Sequence, residues 1–144
     1  MKRLMLLILV TAGSLTACTT IKPGTIGNGG LSQLGGSWEL SYISGPRIAF
    51  NGLYPGKKPT IKFDIAEKRF SGNTSCNSFS GQLVADDSGI NFTKPFIMTK
   101  MACPGEGEAI FIEMLRKTSN YEVTSDSTLN FLMGDIAIMR FSKK

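Results

Sequence analysis

The sequence contains no histidine. That absence removes the commonest general base, the Ser-His-Asp and Cys-His arrangements of nucleophilic catalysis, and the commonest zinc ligand. Cysteine is scarce, with three in 144 residues. No apolar run reaches the roughly 20 residues a helix needs to span a bilayer. Charge of one sign does not dominate either: 16 Lys and Arg against 11 Asp and Glu give a formal +5. The basic residues are scattered as Lys57-Lys58, Lys62, Lys68-Arg69, Arg116-Lys117 and Lys143-Lys144, whereas a dedicated nucleic-acid binder clusters them on one element. No nucleic-acid partner is expected.

What is present begins with Lys2 and Arg3, an apolar run from Leu4 to Val10, and small residues closing on a cysteine. This is the three-part layout of a secretory leader. Leu15-Thr16-Ala17-Cys18 resembles a bacterial lipobox, in which Cys18 is lipid-modified and becomes the first mature residue. The alternative is an ordinary cleaved leader with an incidental cysteine. Residues 1–17 are accordingly read as a lipoprotein signal peptide, and the expected membrane contact is the lipid, palmitate included, on Cys18. Thr19 follows the anchor where aspartate would signal inner-membrane retention, so a Gram-negative host would place the chain on the outer membrane, facing the periplasm. Removing the leader leaves 127 residues and a formal charge of +3. That length suits one domain, which buries roughly two-thirds of its unfolded surface.

With Cys18 lipidated, Cys76 and Cys103 are two thiols in an oxidising compartment. A disulfide between them is expected, stabilising by about 3–4 kcal/mol in the chain-entropy picture. The rival is two separately buried cysteines packing as small hydrophobes.

Residues 18–36 carry the lipid site and a Gly-rich stretch that reads as a flexible tether reaching roughly 20–25 Å; Leu31 and Leu34 docking as a short turn is the competing reading. From residue 37 to 144 the text is that of a folded domain. Trp38, Leu40 and Tyr42 alternate with polar neighbours, as do Ile61, Phe63 and Ile65, and a period of two marks strands. Short strands follow at 82–85, 90–92 and 96–99, then at Tyr121–Val123, Leu129–Met133 and Ile136–Phe141, the last two joined by Gly134-Asp135, a hairpin signal. Residues 105–118 break the pattern. Ile110, Phe111, Met114 and Leu115 recur at helical spacing, Pro104 suits a first turn, Glu106 and Glu108 suit the positive end of the dipole, and Arg116 and Lys117 the negative end. The expected fold is mainly β: a small antiparallel lipocalin-like barrel or curled sheet with this one packed helix.

Two stretches are more specific than such a pattern requires: Ser71-Gly72-Asn73-Thr74-Ser75-Cys76-Asn77-Ser78-Phe79-Ser80-Gly81, and Thr99-Lys100-Met101-Ala102-Cys103-Pro104 with Glu108, Phe111 and Leu115 behind it. With Ser37-Trp38-Glu39-Leu40 and the closing hairpin they resemble the META domain, the HslJ-like family, whose G-N-x-x-C-N-x-F-x-G and T-x-M-A-C patterns recur here without a gap. The resemblance covers about residues 37–141. It implies a lipocalin-type barrel with a packed helix, and an envelope or secreted protein tied to stress response, drug tolerance or virulence, without catalytic activity.

Read as chemistry, the first stretch is a shaped loop. Gly72 and Gly81 would supply unusual backbone angles, Asn73 and Asn77 would bond neighbouring backbone groups, and Phe79 would pin the loop to the core. The functional alternative is a polar ligand-binding loop formed by Asn73, Ser75, Asn77 and Ser78.

Other signals are weaker. Asn73-Thr74-Ser75 and Asn91-Phe92-Thr93 match the glycosylation sequon, which a bacterial lipoprotein does not use. Gly52 to Lys58 lacks the spacing of a phosphate loop, and Asp86-Asp87-Ser88-Gly89 lacks the alternating ligands of a calcium loop. Glu106, Glu108 and Glu113 read as a solvated helix face rather than paired catalytic carboxylates. Met98, Met114, Met133 and Met139 read as core filler. No catalytic residue, cofactor or metal site is expected.

The chain therefore reads as a monomeric, outer-membrane-anchored and non-enzymatic envelope module, either binding an envelope protein partner or stress-protective. The alternative is a small-molecule or lipid carrier, its cavity lined by Phe63, Met98, Leu129 and Phe131. An enzyme would need convergent ionisable groups in a cleft.

Overall fold

The computed structural model describes residues 30–125 and 127–144. The leader 1–17, the lipidation site Cys18, Thr19 and the tether as far as residue 29 lie outside the described residues, as does Asp126 of the expected Asp126-Ser127 turn.

The described chain opens with a helical turn, α1 (Leu31–Leu34), inside the stretch read as tether. Leu34 is fully buried, and its carbonyl accepts a 2.8 Å hydrogen bond from the Trp38 indole. A single turn has little helical stability of its own; burial of Leu34 and the indole bond fix it. Leu31 and Leu34 thus dock on the domain.

Strands β1 (Gly36–Ile43), β2 (Thr60–Asp64), β3 (Arg69–Asn73), β4 (Ser78–Gln82), β7 (Ile97–Met98), β8 (Asn120–Thr124), β9 (Thr128–Met133) and β10 (Ile136–Lys143) form one antiparallel sheet in the order β7-β4-β3-β2-β1-β10-β9-β8. The short pair β5 (Val84–Ala85) and β6 (Ile90–Asn91) stands apart. A turn α2 (Phe50–Leu53) follows β1, and helix α3 (Gly107–Lys117) precedes β8.

The expected lipocalin-like barrel or curled sheet is not what forms. Among the described residues β7 pairs only with β4, and β8 has β9 as its one strand neighbour in the sheet, so the sheet is open at both ends. The physical reason is that neither end is available for closure. β7 is two residues long, and the free side of β8 is met by the β5–β6 hairpin through a Gly89–Asn120 bridge and backbone bonds from Ile90 to Ser119 and from Tyr121 to Ser88. The architecture is an open, mainly-β sheet with one short helix on its apolar face.

The interior is filled rather than hollow. Eight of the nine phenylalanines join one continuous aromatic cluster, from Phe141 through Phe131, Phe92 and Phe70 to Phe96, Phe79 and Phe111, with Phe63 beside Phe92 and Phe131 and ring centroids 5.0–6.5 Å apart. Offset and edge-on rings at such spacings each add roughly 0.5–1.5 kcal/mol beyond their area. Helix α3 closes the cluster with Phe111 and Leu115, both fully buried. Of the residues named for a carrier cavity, Phe63, Leu129 and Phe131 are core, and Met98 is half-buried on the edge strand.

Local corrections follow from the register. A β-bulge between Leu40 and Tyr42 resets the alternation of β1, so Ile43 is buried and Tyr42 exposed. Residues 71–81, read as a loop, belong mostly to the β3–β4 hairpin, with only 74–77 as its turn. Gly72 and Gly81 have ordinary φ values there; what they supply is space. A Cβ on Gly72 would fall 2.2 Å from the Thr60 carbonyl oxygen, and one on Gly81 would fall 2.7 Å from Phe96. Pro104 sits ahead of α3 rather than in its first turn, and Glu106 is the N-cap position.

Candidate functional site

The β3–β4 turn meets the N-terminus of α3 and the segment 99–103 at one end of the sheet. Its backbone is tied within itself: Thr74 N–H donates to the Asn77 carbonyl at 2.8 Å and Asn77 N–H to the Thr74 hydroxyl oxygen at 2.9 Å. The Asn73 side-chain oxygen accepts from Ser75 N–H at 2.8 Å, the local bond by which an Asx turn competes with a continuing strand. The left-handed position of the turn is Ser75, with φ 89°, not either asparagine. The Cys76–Cys103 disulfide then staples the turn to the segment before α3.

Asn77 is the hub. It is buried, and its side-chain oxygen accepts from the Thr99 hydroxyl at 2.7 Å and from Met101 N–H at 2.8 Å. Its side-chain nitrogen lies 2.9 and 3.1 Å from the two carboxylate oxygens of Glu108 and 3.1 Å from the Met101 carbonyl. The Thr74 hydroxyl, also fully buried, donates to the same Glu108 carboxylate. Among the described residues, no buried side-chain polar atom lacks a partner, which is the condition under which a polar cluster rigidifies a fold rather than weakening it. Glu108 stands in the first turn of α3, where its charge also complements the helix dipole. It is half-buried, not part of a solvated face.

Beside this cluster opens a cleft of about 610 Å³. The Cys76–Cys103 bond and Glu108 line it together with Leu53, Tyr54 and Pro55. Exposed Ile48 and Met101 stand at its rim. Its two walls are locked at Gly107, where a Cβ would fall 2.8 Å from the Leu53 carbonyl oxygen and from the Tyr54 ring. The Tyr54 hydroxyl donates to the Gly107 carbonyl at 2.9 Å, and burial pushes its ionisation well above the usual tyrosine range.

The four residues named for a binding loop are separated by this geometry. Ser75 lines the cleft, Asn73 and Ser78 line a second groove of about 680 Å³ along β3, β4 and β7, and Asn77 is enclosed between them. Sequence reasoning missed the roles of Thr74, Thr99 and Met101, and placed Glu108 on solvent. The available signal was Thr99-x-Met101-x-Cys103 standing before a helix whose first turn carries a lone carboxylate.

The family model that matches the chain is that of the META domain, over residues 31–144. No curated protein matches the sequence. Among solved structures, the chain is similar to an NMR structure of a protein from Burkholderia xenovorans, with a TM-score of 0.64 at 18% identity over 92% of this chain and 99% of that one. It is also similar to a DUF4847 family protein from Bacteroides vulgatus, with a TM-score of 0.53 at 19% identity over 77% and 94%. At those identities the likeness is one of fold.

Proposed function

The chain belongs to the META domain family, and from that premise we propose that it is an outer-membrane lipoprotein, anchored through Cys18, whose domain is a monomeric, non-enzymatic binding module facing the periplasm. The observation that carries the binding half is the cleft beside the Cys76–Cys103 bond. Its walls are fixed by the Asn77–Glu108 and Tyr54–Gly107 contacts before any partner arrives, and preorganisation lowers the entropic cost of association. Ile48 and Met101 stay exposed at its rim. Apolar side chains around a concave surface with a few polar groups suit an extended segment of an envelope protein.

The anchor half is supported by Leu15-Thr16-Ala17-Cys18, and the outer-membrane placement by Thr19. Among the described residues no helix is long and apolar enough to cross a membrane. A stress-protective role follows from kinship. Asn73, Ser75 and Ser78 are the accessible members of the proposed loop, and Asn77 positions them. The carrier alternative has no comparable support, because Phe63, Leu129 and Phe131 pack against other core residues.

Photo-crosslinking in intact cells tests the binding half. A photoreactive residue at Ile48 should yield a discrete adduct with an envelope protein, while one at Ile136, exposed on the β9–β10 hairpin, should yield none. Equal labelling from both positions, or none from Ile48, would overturn the assignment of the cleft.

A further inference from the structure

We propose that, once its disulfide is reduced, this corner of the fold is a site for a divalent cation of the zinc class, held by the thiolates of Cys76 and Cys103 and the carboxylate of Glu108. One ligand atom from each lies within 4.8 Å of the other two. Zinc does not require histidine: thiolate sulfur at about 2.3 Å and carboxylate oxygen at about 2.0–2.2 Å complete many of its sites, and three protein ligands leave a fourth tetrahedral position open. Here that position faces the cleft, since all three residues line it.

The surroundings are those of a built site. The Thr74 hydroxyl and the Asn77 amide hold the Glu108 carboxylate in place, the task that hydrogen-bonding partners perform for metal-bound carboxylates. The Asn77 amide nitrogen also lies 3.0 Å from the Cys103 sulfur, so the hydrogen it directs at the Met101 carbonyl can turn to a thiolate formed there. The two Cα atoms are 5.9 Å apart. Side-chain rotation suffices to part the sulfurs to about 3.8 Å, their separation across a tetrahedral zinc. Deprotonating both thiols beside the Glu108 carboxylate gathers three negative charges, and a divalent cation offsets their repulsion.

The chemistry balances with a dithiol reductant, which reaches the bond through the cleft. Two electrons and two protons pass to the disulfide, the S–S bond breaks, each cysteine becomes a thiol, and the reductant closes its own disulfide. Cation binding then releases the two thiol protons to solvent. The lipid anchor does not depend on this step, and docking is read on the oxidised chain whereas cation binding is read on the reduced one, so failure of one proposal is distinguishable from failure of the other.

The test uses the mature chain purified in detergent, reduced anaerobically with a phosphine and titrated with zinc against a chromogenic chelator. The reduced chain should retain one equivalent and the oxidised chain none. Glu108→Gln removes a ligand and should weaken retention by more than the roughly 10- to 100-fold that loss of an outer-shell partner costs, and Cys76→Ser should abolish it. Cobalt(II) in place of zinc should show the charge-transfer absorption of two thiolates. Zinc should also raise the Tm of the reduced protein, because it binds the folded state. Equal retention by oxidised and reduced chains would overturn the proposal. So would equal affinity of Glu108→Gln and the parent, which is the behaviour of two loose thiols on an unfolded chain.

Discussion

The side-chain amide of Asn77 lies 2.9 and 3.1 Å from the two carboxylate oxygens of Glu108, across 31 residues of sequence. This contact joins the β3–β4 turn to the first turn of α3, and with the Cys76–Cys103 bond beside it fixes one wall of the cleft.

Removing the amide should be expensive. Asn77→Ala removes a buried amide shared by the Thr99 hydroxyl, Met101 N–H and half-buried Glu108; the first two partners can turn to water, so the cost per lost bond lies towards the lower end of about 1–3 kcal/mol. A loss of about 2–4 kcal/mol is expected by denaturant unfolding. Asn77→Asp should be worse than alanine at neutral pH, because a second carboxylate would face Glu108. That gap should narrow in acid as the introduced carboxylate protonates. An Asn77→Asp variant as stable as the parent at neutral pH would remove the hub assignment.

Gly72 tests whether space rather than backbone freedom selects glycine in β3. Its missing Cβ leaves room for the Thr60 carbonyl and the Phe79 ring, which would lie 2.2 and 2.6 Å away. Gly72→Ala should cost about 3 kcal/mol or more, at the upper end for an overpacked site. Gly56→Ala, with nothing within 4 Å of the new methyl, should change stability by less than about 0.5 kcal/mol. Thermal melts of the pair decide it, and similar Tm values would contradict the packing account.

Alkali should unfold the domain through its tyrosines. Burial, with smaller contributions from Asp87 and Asp86, pushes Tyr121 up to about 12, and its hydroxyl donates to the Asp86 carbonyl at 2.7 Å. A folded pKa above the unfolded value near 10 favours the neutral phenol in the native state. That stability is full below pH ~10 and is lost as pH rises towards about 12. Tyr121→Phe should flatten the decline, and difference absorbance against that variant should show no Tyr121 phenolate at pH ~10.5 if the assignment is right. At the acid end the sign reverses. Backbone N–H groups of Gly89 and Ser88 hold the Asp86 carboxyl below its usual range, so its contribution is present above about pH 4 and fades as pH falls through the depressed value.

Much of the sheet is legible because alternation reports one-sided burial. β2, β8, β9 and most of β10 announce themselves that way, and Phe111 with Leu115 announces α3. The β3–β4 hairpin hides its pattern. Its outer face carries only polar side chains, Arg69, Ser71, Asn73, Ser78, Ser80 and Gln82, and on its inner face Gly72 and Gly81 stand where side chains would be expected, with neighbouring aromatic rings filling the space. Leu34 was masked by glycines around it, and the phase of Tyr42 by a bulge. The openness of the sheet is written in tertiary pairing of β7 and β8, which periodicity does not encode. Glu108 was misplaced because the helix dipole already explained a carboxylate there; its partners come from turns 30 residues and more away, and a single sequence carries no signal of that proximity.

The compartment governs everything else in this account, since an oxidised Cys76–Cys103 bond and an envelope partner both presuppose export. Fractionating cells that express the parent and Cys18→Ala measures it directly. The parent should sediment with outer membranes and carry a thioether lipid on Cys18 in its mass spectrum, and Cys18→Ala should move to the soluble periplasmic fraction. A parent chain recovered from the cytosol with residues 1–17 intact, or a Cys18→Ala chain still bound to membranes, would contradict the account.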